Sequence, residues 1–265
     1  MTRSASDLLN ACHRRTLPRF YLPDLDPAAG HAMLPEDEAI HLTRVLRLRP
    51  GADVTVFDGR GREFHAQVEA AARGRVRVAL LEAIVPAPEM RVPLTLVQAV
   101  LKGDKMDSVV RDATMMGVAA IEPIITSRTI GRASRDTTRW ARVAVASAKQ
   151  CRRAVVPVLA EACTFSDWLI RSAHGLRLLL VEPSTTDCRA GVGEPATAPS
   201  SLRVLENQAP GSLALIVGPE GGWSDEEVRQ AEQAGCIPVS LGPLTLRADA
   251  VAIAAIAIAR FALGE

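Results

Sequence analysis

Aromatic side chains are scarce in this sequence, which has five Phe, three Trp and one Tyr among its 265 residues. Many proteins that bind single-stranded RNA stack successive bases on several aromatic rings. So few rings argue against a surface of that kind. Any contact with a nucleic acid is therefore expected to be mainly electrostatic.

Long apolar runs and paired cysteines are missing as well. The longest uncharged apolar run, residues 250–259, has ten residues, whereas a membrane-spanning helix needs about 20. Residues 1–19 lack the apolar core of a secretory signal. We therefore predict no membrane span and a cytoplasmic location. With no C-x-x-C pair and no clustered histidines, no metal site is predicted, and free thiols are favoured at Cys12, Cys151, Cys163, Cys188 and Cys236.

The net charge of +1 conceals an uneven distribution along the chain. Residues 91–160 hold 12 basic and 5 acidic side chains, whereas residues 161–265 hold 7 and 13. Basic residues recur so densely between positions 128 and 153 that one face of a helix would be continuously basic. Such a face suits nucleic-acid phosphates. The alternative is a solvated helix face in a chain where Arg outnumbers Lys 28 to 3.

Alternating apolar residues predict a small β domain at the N-terminus. Strands are expected over residues 53–57, 63–69 and 75–82, with a hairpin turn at Asp58-Gly59, because Asp-Gly between apolar runs is a strong turn signal. A short helix is expected near residues 36–46. Residues 86–88, Pro-Ala-Pro, have the composition of a stiff linker. The first domain is thus predicted to span residues 1–86.

From residue 91 onward, apolar runs alternate with helix-like segments. Buried strands are predicted at residues 94–101, 118–125, 176–181, 213–217 and 237–241, and helices at 104–116, 139–150 and 225–234. This alternation predicts crossover connections and a mostly parallel sheet, so residues 91–265 are expected to form an α/β domain. Ligands of such sheets bind beyond the carboxyl ends of the strands.

Two further segments differ from this pattern. Residues 183–210 are rich in Ser, Thr, Gly, Ala and Pro, and are predicted to form a flexible surface insertion. Residues 250–263 are apolar on every side as far as Arg260, which predicts a helix buried all round. A partner chain is one way to cover it.

Residues 215–227, LIVGPEGGWSDEE, carry the most informative motif. An apolar strand leads into a loop with Gly218, Gly221 and Gly222. Ser224 and Glu227 then have the S-x-x-E spacing of a capping box. Glycines at such a point let backbone N–H groups approach a ligand, although a tight strand-to-helix turn would use them too. The segment is not a dinucleotide fingerprint, a P-loop or a hydrolase elbow.

A second loop, residues 240–249, follows the last predicted strand. Gly242-Pro243 ends that strand. Arg247 and Asp249 come just before the apolar helix, and charged side chains so close to an apolar core are costly unless they are paired or serve a function. They could pair with each other as a cap. Two such loops at one end of a parallel sheet would form a ligand cleft.

Several short motifs occur in order along nearly the whole chain. They are Arg19-Phe20-Tyr21, His41 with Val45-Leu46-Arg47, Asp58-Gly59, Lys102-Gly-Asp-Lys105-Met106, Gly117-Val118, Pro123, Ser127-Arg128, Gln150, Val156-Pro157, Gly218-Pro219-Glu220-Gly221-Gly222, and Ser240-Leu241-Gly242-Pro243 followed by Leu246-Arg247. In this order they resemble the bacterial 16S ribosomal RNA uracil-N3 methyltransferase family, ribosomal small-subunit methyltransferase E.

The resemblance implies a PUA-like β-barrel over residues 1–86 that helps to bind RNA, and a SPOUT domain with a trefoil knot over residues 91–265. It implies a homodimer that uses S-adenosylmethionine to methylate N3 of a uridine in 16S ribosomal RNA, free or in the assembled small subunit. By motif position, the cofactor would lie against Leu180, Val181, Glu182, Val217, Gly218, Pro219, Glu220, Gly221, Gly222, Leu241, Gly242 and Leu246.

The same resemblance suggests roles for charged residues. Arg247 is expected to stabilise negative charge on the uracil carbonyls, as its guanidinium donors allow, or else to contact a phosphate. Glu220 and Asp249 are the nearby carboxylates, and no general base is assigned. Contacts with RNA are expected from Arg47, Lys102, Lys105, Arg128, Arg132, Arg152 and Arg153.

The chain departs from the family pattern at several positions. Met115 and Lys149 replace usual acidic residues, Asp249 is a shortened Glu, and Arg152 replaces a usual glycine. These departures leave two alternatives open. One is an RNA-binding ribosome-assembly factor that has lost methyl transfer, and the other is a SPOUT RNA methyltransferase with a different target.

Overall fold

The computed structural model describes residues 17–72, 74–129, 137–172, 175–183, 200–207 and 210–265. The chain forms two compact units. Unit 1 comprises Met1–Ala87 together with Arg152–Val155, and unit 2 comprises Pro88–Cys151 and Val156–Glu265.

Unit 1 is built on one five-stranded sheet. Its strands are β1 Arg19–Tyr21, β2 His31–Met33, β3 Asp53–Phe57, β4 Glu63–Ala72 and β5 Arg75–Ile84, in the order β1-β3-β4-β5-β2. β1 pairs with β3 in parallel, and the other pairs are antiparallel. A 3-10 helix at Pro27–Ala29 precedes β2, and a short helix α1 at Glu36–Ile40 continues as a π-helix at His41–Val45.

The sequence pattern of these strands explains their packing. In β5, Val76 and Val78 are buried, whereas Arg75 and Arg77 are exposed, as expected for a sheet with one covered face. The predicted hairpin turn is confirmed at the end of β3. There the Asp58 carboxylate accepts the backbone N–H groups of Arg60 and Arg62 at 2.7 and 3.0 Å.

A distant segment of the chain, Arg152–Val155, completes unit 1. The backbone N–H of Gly61 donates to the carbonyl of Ala154 at 3.1 Å, and the guanidinium of Arg19 donates to the carbonyl of Arg153 at 3.3 Å. Arg19 and Arg153 lie 134 positions apart, so no local pattern predicts their contact. The sequence pattern predicts this segment to be part of the second domain.

Unit 2 contains an eight-stranded sheet with only parallel pairs among the described residues. Its strands are β6 Leu94–Ala99, β7 Ala120–Ile125, β8 Val158–Leu159, β9 Cys163–Thr164, β10 Leu176–Leu180, β11 Ser200–Ser201, β12 Leu213–Val217 and β13 Ile237–Ser240. The order is β11-β13-β10-β12-β6-β7-β8, and β9 also pairs with β7. The predicted α/β class is confirmed.

Helices cover both faces of this sheet. They are α2 Lys105–Met115, α3 Thr137–Cys151, α4 Phe165–Arg171, α5 Asp225–Gln233 and α6 Ala248–Ala262. Leu213 and Leu215 of β12 pack with α2, α3 and α6, while Ala214 and Ile216 pack with α4 and α5. Because both faces are covered, the strand is continuously apolar.

The position of β13 gives unit 2 an unusual topology. β13 lies between β10 and β11, two strands that follow each other along the chain. The trefoil knot implied by the resemblance stays a prediction, because it depends on the path of the connection between β10 and β11. Most of that connection, residues 184–199, lies outside the described residues.

The predicted surface insertion at residues 183–210 is partly wrong. A 3-10 helix forms at Leu202–Asn207, and Leu202 and Leu205 are buried in the main core of unit 2. The prediction relied on composition and gave too little weight to these leucines. Residues 184–199 and 208–209 of the insertion lie outside the described part of the chain.

The prediction that the last helix is buried all round is wrong within a single chain. Ala252, Ala255 and Ile256 of α6 are buried, but Ile258 and Phe261 are 42% and 86% exposed. One helix face packs on α2 and β12, and the opposite face has no cover within the described residues.

Candidate functional site

Three loops of unit 2 meet at one edge of the sheet and enclose a pocket of about 310 Å³. They follow β10, β12 and β13, which are neighbours in the sheet, so their carboxyl ends lie together. Of the residues predicted to hold a cofactor, those in the pocket wall are Leu180, Val181, Glu182, Val217, Gly218, Pro219, Glu220, Gly222, Leu241, Gly242 and Leu246. Gly221 is not among the lining residues.

Close packing in the glycine loop, residues 217–223, explains two of its glycines. A Cβ on Gly218 would lie 3.0 Å from the indole of Trp223, and a Cβ on Gly222 would lie 3.0 Å from a carboxylate oxygen of Glu182. Gly222 also has a φ of 68°, which favours glycine. The indole Nε1 of Trp223 donates to the carbonyl of Leu180 at 2.8 Å. This hydrogen bond connects the glycine loop to the end of β10.

Sequence reasoning missed Trp223 as a part of the site. The residue lines the pocket, and its ring packs on Phe165 with 4.8 Å between the ring centroids. Its place directly after Gly222 was the only local signal. That signal does not distinguish a residue that shapes the loop from one buried for packing alone.

Glu220 anchors the glycine loop to the start of α2. Its carboxylate accepts hydrogen bonds from Nζ of Lys105 at 2.8 Å and from the backbone N–H of Lys102 at 3.2 Å. Burial acts to raise the pKa of Glu220, but these hydrogen bonds outweigh it and hold the pKa below its ordinary value. Lys105, which was predicted to contact RNA, is therefore already paired with Glu220 in the pocket wall.

Arg247 and Asp249 form a two-point ion pair at the mouth of the pocket. Nε and one terminal nitrogen of Arg247 each donate to Asp249 at 3.1 Å. The hydrogen bond from Arg247 lowers the pKa of Asp249 and outweighs the opposing effect of burial. The Arg247 side chain is 73% exposed. The pairing that the sequence left open therefore occurs, and the guanidinium still faces solvent.

A fourth loop, residues 126–129 after β7, also reaches the glycine loop. A terminal nitrogen of Arg128 donates to the carbonyl of Gly221 at 3.0 Å. A Cβ on Gly221 would lie 3.1 Å from the Cβ of Arg128. Gly221 thus faces Arg128 instead of the pocket, and Arg128 lies beside the candidate cofactor site.

The other arginines predicted to contact RNA have different environments. Arg47 and Arg152 are exposed residues of unit 1 with φ values of 54° and 62°, in a region that L-residues seldom adopt. Arg153 is only 6% exposed, so its prediction as a surface contact for phosphate is corrected. Arg132 lies outside the described residues, and Lys102 is exposed.

The described part of the chain lacks the side-chain clusters of a metal centre and the long apolar helices of a membrane span. There, no group of three or more His, Cys, Asp and Glu side chains could hold a metal ion. No described helix combines the length and apolar character that crossing a membrane demands. Cys151, Cys163 and Cys236 are free thiols, and Cys12 and Cys188 lie outside the described residues.

The two parts of the sequence match two families of known domains. Residues 88–260 match the RNA methyltransferase domain family, and residues 34–81 match the RNA methyltransferase PUA domain family. The chain is 31% identical to ribosomal RNA small subunit methyltransferase E of Mycobacterium bovis over 251 residues, which cover 90% of each protein. The chain belongs to the ribosomal RNA small subunit methyltransferase E family.

Two further proteins are similar to this chain and agree with the family assignment. The chain is 33% identical to the Synechocystis methyltransferase E over 209 residues, which are 78% of this chain and 65% of that protein. A putative methyltransferase from Legionella pneumophila, solved with bound S-adenosylmethionine, is similar in structure, with a TM-score of 0.81 and 29% identity. That match covers 93% of this chain and 98% of the Legionella chain. The predicted SPOUT-type fold with a PUA-like domain is thus confirmed.

Proposed function

We propose that this chain transfers a methyl group from S-adenosylmethionine to N3 of a uridine in 16S ribosomal RNA of the small subunit. Membership of the methyltransferase E family and the cofactor bound to the Legionella relative support the proposal. The observation that carries it is the pocket at the carboxyl ends of β10, β12 and β13. The uridine N3 specificity rests on the sequence resemblance.

The walls of the pocket fit a ligand that is partly apolar and partly charged. Leu180, Leu241 and Leu246 supply apolar surface, while Glu182 supplies a carboxylate that can accept hydrogen bonds from hydroxyl groups. The glycine loop brings backbone to the ligand with no side chain between. These loops would hold S-adenosylmethionine.

S-adenosylmethionine supplies a methyl group on a positively charged sulfur. The uracil N3 is a poor nucleophile while it carries its proton, and loss of that proton puts negative charge on the carbonyl oxygens beside it. We assign Arg247 to stabilise this charge. Its guanidinium has five N–H groups, and Asp249 engages only some of them while orienting the group.

Glu220 and Asp249, two carboxylates of the pocket wall, are each paired with a basic side chain. Hydrogen bonds lower the pKa of both Glu220 and Asp249, so each is a weaker base than an unpaired carboxylate. We therefore assign neither as the general base. Their roles are to position Lys105 and Arg247, respectively.

RNA and a second copy of the chain are the proposed partners. Exposed Arg47, Lys102, Arg128 and Arg152 are the candidate phosphate contacts, which fix the position of an RNA without reading its sequence. The uncovered side of α6, with Ile258 and Phe261, is the proposed homodimer contact.

Mapping of N3-methyluridine tests the proposed reaction. A bacterial strain that lacks its own methyltransferase of this family is complemented with the wild-type chain or with Arg247→Lys, and 16S ribosomal RNA is digested and analysed by mass spectrometry. The wild type should restore N3-methyluridine. A modified base of another kind would support a different target, and no modification would favour a non-enzymatic RNA-binding factor.

Purified protein tests the role of Arg247 separately. Arg247→Lys should slow transfer at saturating cofactor, because an ammonium cannot reproduce the paired donors of the guanidinium. Transfer at the wild-type rate would remove Arg247 from its assigned role.

A further inference from the structure

Glu227 is a buried carboxylate at the start of α5, outside the pocket wall. The residue is 7% exposed, and its side chain accepts hydrogen bonds from two separate loops. The backbone N–H and hydroxyl of Ser224 donate to it, both at 2.9 Å. The backbone N–H and hydroxyl of Ser127 donate at 2.7 and 3.0 Å.

The contacts to Ser127 go beyond helix capping. A capping box needs only the N-cap residue and the third helical residue, here Ser224 and Glu227. Ser127 belongs to the loop after β7, 100 positions earlier in the chain. Glu227 therefore joins the loop of residues 126–129 to the end of the glycine loop.

Arg128 is the residue that this junction places. It follows Ser127 directly, and its guanidinium donates to the carbonyl of Gly221 while its Cβ lies close to Gly221. Thr129 strengthens the same loop, because its hydroxyl accepts the backbone N–H of Thr126 at 3.0 Å. Arg128 is thus fixed at the backbone through Ser127 and at its guanidinium through Gly221.

We propose that Glu227 is a positioning residue that holds Arg128 beside the cofactor pocket, where Arg128 binds a phosphate of the substrate RNA close to the target base. This inference rests on the proposed function. Glu227 itself touches neither the cofactor nor the RNA. A guanidinium with several donors can bind a phosphate while keeping its bond to Gly221.

The chemistry around Glu227 specifies an ionised carboxylate. All four groups that face it are N–H or O–H donors, and two of them are backbone amides that cannot reverse their role. Burial acts to raise the pKa of Glu227, yet the hydrogen bonds from Ser127 and Ser224 hold it below the ordinary value. In Glu227→Gln, the side-chain NH₂ group would face these N–H and O–H donors and could not accept their hydrogen bonds.

The test compares Glu227→Gln with Glu226→Gln, its exposed neighbour on the same helix. The first readout is hydrogen exchange of the backbone amides of residues 126–129, which requires no activity. Glu227→Gln should speed this exchange at least tenfold, and Glu226→Gln should leave it unchanged. Wild-type protection in Glu227→Gln overturns the inference, whether or not the protein is a methyltransferase.

The second readout is a double-mutant cycle with Arg128→Ala. Glu227→Gln alone should raise the RNA KM or Kd at least tenfold, change cofactor affinity less than twofold, and reduce the slope of log affinity against log salt by about one. In the Arg128→Ala background, Glu227→Gln should have no further effect on RNA. Equal effects in both backgrounds would make Glu227 a structural cap only.

Ser127→Ala serves as a milder variant if Glu227→Gln does not fold. It removes one hydrogen bond to Glu227 and keeps the backbone amide, so RNA binding should weaken in the same direction with little loss of stability. An RNA affinity equal to that of the wild type overturns the inference. A wild type that binds RNA through Arg128 but transfers no methyl group would instead contradict the proposed function.

Discussion

Single residues with unusual backbone or burial provide the sharpest tests of this structure. Arg152 has a φ of 62° although it is not glycine, and family resemblance places glycine at this position. The carbonyls of the next two residues, Arg153 and Ala154, accept hydrogen bonds from Arg19 and Gly61 of unit 1. These hydrogen bonds fix the backbone conformation of Arg152. The left-handed conformation costs an L-residue about 1 kcal/mol.

We expect Arg152→Gly to raise the free energy of unfolding by about 1 kcal/mol and the melting temperature by a few degrees. Denaturant and thermal unfolding measure both. Arg49→Gly is the control, because Arg49 is exposed and lies outside the positive-φ residues. A less stable Arg152→Gly protein would contradict the proposed strain.

Glu227 gives a prediction about acid stability. Its folded-state pKa lies below the ordinary value of 4.5, so ionised Glu227 contributes stability that is fully present above this value. The contribution is lost as the pH falls through the lower folded-state pKa. The stability gap between wild type and Glu227→Gln should therefore be constant near neutral pH and shrink below about pH 4.5. A gap that widens in acid would contradict this sign.

Individual elements follow from local patterns where the pattern is long and apolar. β12 has the bounds predicted for it, Leu213–Val217, because an apolar run bounded by Gly211-Ser212 and Gly218 leaves little choice. The predicted capping box is confirmed, since Ser224 and Glu227 exchange both of its hydrogen bonds. The short elements β8, β9 and α4 were not predicted. β8 and β9 pair with β7, and α4 contacts β7, β9 and α5, so their positions depend on residues that are distant in the sequence.

The capping box can be tested at the level of its helix. Ser224→Ala should destabilise the protein by about 1 kcal/mol, because the first turn of α5 loses its side-chain acceptor. Chemical unfolding measures this change. Ser166→Ala, an exposed position in α4, should cost much less. Equal losses from both changes would argue against a specific role for the cap.

At the scale of the whole molecule, the sequence predicted which loops meet better than it predicted the contacts between them. Glycines and prolines after apolar strands predicted which loops meet, because parallel strands end at one edge of the sheet. The link from Arg128 to Gly221 joins residues 93 positions apart, and the entry of residues 152–155 into unit 1 is equally remote. Only the folded chain brings such groups together.

The exposed end of α6 yields a prediction about assembly. If a second copy covers Phe261, then Phe261→Lys should convert a dimer into a monomer, because a charge would be buried in an apolar contact. Sedimentation or light scattering measures the mass. Ile170→Lys, a change at another exposed apolar residue in α4, should leave a dimer intact. A monomeric wild type would contradict the proposed interface.

Cofactor binding by the three-loop pocket is the central claim, and calorimetric titration tests it most directly. Wild-type protein should bind S-adenosylmethionine and S-adenosylhomocysteine with micromolar affinity. Leu246→Trp, in the pocket wall, should weaken binding at least tenfold, about 1.4 kcal/mol, whereas Leu81→Trp in unit 1 should not. Absence of binding to either compound, or binding that Leu246→Trp leaves unchanged, would contradict the account.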